Sequence, residues 1–208
     1  AIGPMAAPGN YRARLTTPTV TDEGALTLIP DPLSPGLDYA KRREISGNLF
    51  NMVEELGFLE ARVHALKDSA EHRAGLVKNK NLKTKLTQYA ANLDALRKTL
   101  TETTEAKGIT GEEKLRAFIG RLYVFTELSD LPPTESTLQR MAFLKDELAR
   151  AQTEAAALFN ELTALNAGLK KEKVAEIKPL DKDGFIKNYN APVGVGKSGL
   201  ELLLKMRR

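Results

Sequence analysis

A mainly α chain, an elongated antiparallel bundle of about four helices preceded by a β-hairpin, is predicted by three features of this 208-residue sequence. Apolar residues recur at alternating spacings of three and four over most of residues 37 to 169. Leu and Ala dominate a hydrophobic share of 42%, aromatics are only 6% and Trp is absent, which favours helical packing over a β-sandwich throughout. Six of the ten prolines fall in residues 1–36, around two short segments with strand-like alternation.

The hairpin comes first, within residues 1–36. In "YRARLTT" Tyr11, Ala13 and Leu15 alternate with Arg12, Arg14 and Thr16, the two-residue period of a half-buried strand. "ALTLI", residues 25–29, places Leu26 and Leu28 in the same way, and "PTVTDEG" between them reads as the loop. Two strands cannot bury one face by themselves, so other structure must cover them.

Residues 37–169 form the bundle. Ile45, Leu49, Met52, Leu56, Leu59, Val63 and Leu66 make a seam with a seven-residue repeat, and Leu82, Leu86, Tyr89, Leu93, Leu96 and Leu100 make a second. A third helix, capped by Thr110 with Glu113 closing a capping box, is expected to bury Leu115, Phe118, Ile119, Leu122 and Phe125. The fourth starts after Pro132 and Pro133 with Thr134 as its cap. It carries Met141, Leu148, Ala155, Leu162 and Leu169 beside Leu138, Leu144, Ala151, Leu158 and Leu165.

Residues 170–208 form a basic tail containing Gly and Lys, with ten Lys or Arg against five acids and a short terminal helix in "GLELLLKMRR". Its "APVGVGKSG", residues 191–199, matches a loose phosphate-loop pattern. Such a loop needs a buried strand delivering the chain into the turn and a helix following it. The preceding "GFIKNY" is a poor buried strand, and only ten residues follow Ser198, so the match is read as accidental and no cofactor is expected.

Other chemistries find little support in the sequence. Cys is absent, which removes disulfides and cysteine metal sites. His64 and His72 lie eight apart on one helix and read as solvated surface residues. Glu54, Glu55 and Glu60, and Asp146, Glu147 and Glu154, lack the inward Glu-x-x-His pairs of bundle metal sites and read as solvated faces. The net charge of +4 resides in the tail, without the basic face interleaved with aromatics that nucleic acid requires. No stretch approaches the roughly 20 apolar residues of a membrane-spanning helix.

Particular motifs add a resemblance. Gly3 and Pro4, then Pro8, Gly9 and Tyr11, then Asp31 and Pro32 resemble the last strands of the small immunoglobulin-like or fibronectin-like sandwich near the C-terminus of bacterial sortilin-like, BNR-repeat β-propeller proteins. Asp130, Pro132, Pro133 and Thr134 before the last helix, and Leu162, Leu165, Asn166, Ala167 and Leu169 near its end, are similar to that family's C-terminal bundle. Leu33 stands where the family usually has Arg, and the tail beyond Lys170 has no counterpart. The resemblance implies an incomplete sandwich with Tyr11 at a tyrosine corner, and a periplasmic or extracellular setting.

The expected function is therefore a non-catalytic structural or protein-interaction module, a C-terminal fragment or subunit of a larger exported assembly. Its partner is a protein, or the remainder of a parent chain, that completes the sandwich against Tyr11, Ala13, Leu15, Leu26 and Leu28. An alternative implied by the resemblance is an accessory region of a glycosidase-like or peptidase-like hydrolase whose site lies in an absent propeller. A minor alternative is peripheral membrane contact through Leu200, Leu203 and Leu204 with the flanking cations. One short amphipathic turn binds membranes weakly, so a helix packing on a protein partner is the preferred reading there.

Overall fold

The computed structural model describes residues 3–33, 36–102, 113–129 and 131–189. In chain order these form β1 (Gly9–Thr16), β2 (Thr21–Leu28), α1 (Tyr39–Leu76), α2 (Lys80–Leu100), α3 (Leu115–Leu128), α4 (Glu135–Lys171) and α5 (Lys182–Tyr189). The chain is mainly α, a helical bundle preceded by a β-hairpin, as its periodicity predicts.

The strands pair antiparallel through eight residues, from Gly9 opposite Leu28 to Thr16 opposite Thr21. The turn is shorter than expected. Thr17 N–H donates to Val20 O at 2.8 Å and Val20 N–H to Thr17 Oγ1 at 2.9 Å, so four residues close it. Thr21 to Gly24, read as loop from their turn-forming composition, lie in β2, where Arg14 pairs with Glu23 across the strands at 2.5 Å. Gly9 opens β1 at φ 156°, a conformation that strains a residue with a Cβ.

Each long helix has an identifiable start. The N–H of the third helical residue donates to a side-chain oxygen in α1 (Lys41 to Asp38, 2.9 Å), α2 (Leu82 to Asn79, 3.1 Å) and α4 (Thr137 to Thr134, 3.2 Å). Thr134 is thus the predicted cap. The third helix departs from expectation: α3 follows Lys114, which makes no side-chain cap bond, and Glu113 pairs with Arg121 instead. Thr110 lies outside the described residues.

Helix α4 ends in a Schellman motif. Val174 N–H bonds to Leu169 O at 3.0 Å and Lys173 N–H to Lys170 O at 3.1 Å, with Lys173 at φ 58°. A lysine therefore occupies the left-handed position that glycine usually fills.

Compactness divides the chain differently from composition. One unit comprises Ala1–Gly57 and Lys98–Glu154, the other Phe58–Arg97 and the residues from Ala155 on. In the first, Ile45, Leu49, Met52 and Leu56 of α1 are buried, as are Ile119 and Tyr123 of α3 and Leu144, Leu148 and Ala151 of α4. The Phe50 and Tyr123 rings meet at a tilt of 50° with centroids 5.7 Å apart, and Gln152 donates to Glu55 at 3.2 Å.

In the second unit the seam of α1 from Leu59 to Ala74 is buried, together with Leu86, Tyr89, Leu93 and Leu96 of α2 and Leu158, Leu162, Leu165 and Leu169 of α4. A Cβ on Gly168 would fall 2.8 Å from Leu82 Cδ1, so the bare glycine makes room for the Leu82 side chain of α2.

The segment after α4 belongs to this second core. Asn166 clasps Ile177 twice, accepting from its N–H at 2.8 Å and donating to its carbonyl at 3.0 Å. Arg73 donates to the carbonyls of Ala175 (2.8 Å) and Glu176 (2.9 Å). Ile177 is fully buried. "GFIKNY", weighed above as a strand before a phosphate loop, is helical in α5, capped by Asp181 and packed through Phe185 against Phe58, the rings tilted with centroids 5.5 Å apart.

Candidate protein-interaction surface

The hairpin register decides which residues share a face. Tyr11 lies opposite Leu26, Ala13 opposite Gly24, Leu15 opposite Asp22 and Gly9 opposite Leu28. The five residues singled out from alternation, Tyr11, Ala13, Leu15, Leu26 and Leu28, therefore stand on one side of the sheet, and Asn10, Arg12, Arg14 and Glu23 on the other.

That apolar side is uncovered. Leu15 is 66% exposed and Leu26 49%, Ala13 is exposed, and only Tyr11 and Leu28 are partly covered. Among the described residues no further strand pairs with β1 or β2, so both edges leave backbone donors and acceptors unpaired. A sheet with an exposed hydrophobic face and two open edges has the attributes of a surface awaiting strands.

The base of the hairpin is held firmly. Tyr11 Oη donates to Ala7 O at 2.5 Å, pinning the start of β1 to the segment before it. Asp31 N–H donates to Tyr39 Oη at 2.9 Å, tying the chain after β2 to the first residue of α1.

The strongest anchor is Glu127, 5% exposed at the end of α3. Its carboxylate accepts Met5 N–H at 2.5 Å on Oε1 and the Ser46 hydroxyl on Oε2, while Arg42 donates to its main-chain carbonyl. One buried acid thus joins the segment before β1, helix α1 and helix α3. Tyr123, one turn earlier on α3, has its phenol pushed up by burial first and by the Glu127 charge second.

Helix α3 adds apolar surface that sequence reasoning assigned to the core. Phe125, expected to be buried, is 65% exposed, and Val124, Leu128 and Leu131 are exposed with it. Arg140 of α4 lies over the rings of Phe118 (5.1 Å) and Phe143 (5.3 Å). The signal was present: Leu115, Phe118, Ile119, Leu122, Tyr123, Val124, Phe125 and Leu128 encircle the helix, more than one buried stripe can use.

Residues proposed for other chemistry do not converge. Glu54, Glu55, Asp146 and Glu154 are exposed, and Glu147 pairs with Arg150 at 2.7 Å. Asp68 stands four residues from each of His64 and His72, a helical metal spacing the sequence reading did not use, and its Oδ1 is 3.5 Å from His64 Nδ1. Among the described residues, no group of three such side chains could hold a metal ion, and no helix is long and apolar enough to cross a membrane. Leu200, Leu203 and Leu204 and the 191–199 pattern lie outside the described residues.

Compared with protein-family models, with curated proteins and with solved structures, the chain finds no match in any of the three.

Proposed function

We propose that this chain is a non-catalytic interaction module in which the helical bundle displays a β-hairpin for completion of a sheet supplied by another polypeptide or by the remainder of a longer one. One observation carries the reading: eight residue pairs are formed in register between the two strands, yet the apolar face bearing Leu15 and Leu26 is open to solvent. The bond from Tyr11 to Ala7 and the anchor at Glu127 support it, since they fix the hairpin's base while leaving its face free.

Two hairpins stacked on each other are a poorer solution. Each is eight residues long, about 27 Å at the usual rise per residue, and two strands wide, far short of the roughly 800 Å² per partner that a stable interface needs. A partner bringing several strands covers the face and pairs an edge at once. The likeness to sortilin-like, BNR-repeat proteins favours a sandwich as that partner and an exported setting.

A photo-crosslinking residue placed at Leu26, with a control at Arg12 on the opposite face, tests this in the natural host. Adducts from position 26 that map to strands of another polypeptide, or of a longer parent chain, are expected. Adducts only to copies of this chain, or equal yields from the two positions, overturn the proposal.

A further inference from the structure

A second site lies in the unit that carries no part of the hairpin. Between α1, α4 and the segment after α4 is a cleft of about 370 Å³, walled on one side by Arg62 and Phe159 and on the other by Glu176, Lys178 and Pro179. Its volume falls within the range of small-molecule sites, at the lower end. The second wall is a built feature: Asn166 clasps Ile177 through two hydrogen bonds, and Arg73 holds the carbonyls of Ala175 and Glu176.

Arg62 is the feature that needs explaining. Its guanidinium carbon sits 4.2 Å from the centre of the Phe159 ring, and its Nε is buried without a hydrogen-bond partner. A buried N–H without an acceptor is costly, and native proteins tolerate few of them. A guanidinium held over an aromatic ring keeps its planar fork of N–H donors ordered, and that fork matches a planar carboxylate.

The remaining lining selects among anions. Leu66, Leu162 and Ile177 give the cleft an apolar floor, so a ligand carrying hydrocarbon gains by burial there. Lys178 adds a second cation, whereas Glu176 repels a further negative charge, which favours a single carboxylate over a phosphate dianion.

We infer that the cleft between Arg62, Phe159 and the 176–179 segment binds a small monocarboxylate with an apolar body, its carboxylate on Arg62 and its hydrocarbon against Phe159, Leu66 and Leu162. This site is independent of the hairpin and assigns the bundle a ligand of its own.

Titration of the intact chain with hexanoate, followed by amide NMR, is the test, with hexanamide as the uncharged match and N-acetyl-leucine as a mimic of a chain terminus. Saturable shifts confined to residues around the cleft are expected, with hexanamide at least about tenfold weaker, as loss of a charge-assisted hydrogen bond implies. Arg62→Met should weaken hexanoate by a similar factor, while Lys145→Met, on an exposed position of α4, should leave it unchanged. Preference for hexanoate over N-acetyl-leucine assigns the site to free acids, and the reverse to chain ends. Equal binding of acid and amide overturns the inference without any variant having to fold. So does unaltered binding by a folded Arg62→Met, or no saturable shift by about 10 mM ligand.

Discussion

Replacing Glu127 by Ala removes acceptors for two donors of unequal standing. Ser46 is 1% exposed, so its hydroxyl cannot recover a water and bears nearly the full cost of an unmet buried group, about 2 kcal/mol. Met5 is half exposed, and its N–H finds solvent at a cost of about 1 kcal/mol. The expected loss is therefore about 3 kcal/mol, a fall of about 1.5 M in the urea midpoint at a slope of about 2 kcal/mol per M.

Ser46→Ala alone leaves Oε2 short of a donor and should cost about 2 kcal/mol. The double variant should cost only about 1 to 1.5 kcal/mol, less than Glu127→Ala alone, because the stranded hydroxyl is removed with the carboxylate and only the Met5 N–H is left to find solvent. Urea unfolding of the four proteins gives the cycle, and hydrogen exchange at the Met5 amide reports whether the hairpin's base is freed. Additive losses, or a Glu127→Ala effect below about 0.5 kcal/mol, would refute the idea that this acid is the anchor.

Other outcomes follow from single buried or strained groups. Tyr89 is 1% exposed with no partner for its hydroxyl, so Tyr89→Phe should stabilise the protein at pH 7 by about 1 kcal/mol in urea melts. Its phenol is pushed up, chiefly by burial and then by the Glu161 charge, with Arg62 opposing. Because the folded value lies above the unfolded one of about 10, stability should hold below that pH and fall as pH rises beyond it. Tyr89→Phe should make that alkaline fall shallower, and an unchanged profile would contradict the burial argument. Lys173→Gly should raise stability by about 0.5 kcal/mol, since relief of the left-handed strain at φ 58° outweighs glycine's greater freedom when unfolded, and calorimetry of the pair checks this.

The long helices were legible because their chemistry is local and repetitive. The seams from Ile45 to Leu66, from Leu82 to Leu100 and from Leu144 to Leu169 are buried almost residue for residue, each side chain meeting the environment its spacing demands. Thr134 was readable for the same reason, a cap being a contact between near neighbours.

Elsewhere the pattern underdetermined the fold. Helix α3 is apolar on every side, so periodicity could not say that Ile119 and Tyr123 turn inward while Phe125 turns out. Asp22 and Glu23 have turn composition yet occupy a strand, because Thr17 and Val20 already complete the turn. Helix α5 holds Gly184 and few apolar residues, and its place depends on Phe58, far back in the chain. The site residues Tyr11, Ala13, Leu15, Leu26 and Leu28 were visible as an alternating set. Glu127 and Arg62 were not, since each acquires meaning from residues about a hundred positions away, Met5 and Ser46 for one and Phe159 for the other.

The open hairpin also sets a schedule. Residues 9–28 leave the ribosome ahead of the helices that will carry them, so their greasy side stays naked until strands from elsewhere reach it. Arg12, Arg14 and Glu23 on the reverse side then act as gatekeepers, keeping the nascent ribbon soluble without spoiling the surface it must offer. Cells short of those strands would be expected to clear the protein by proteolysis, so its abundance should follow their supply.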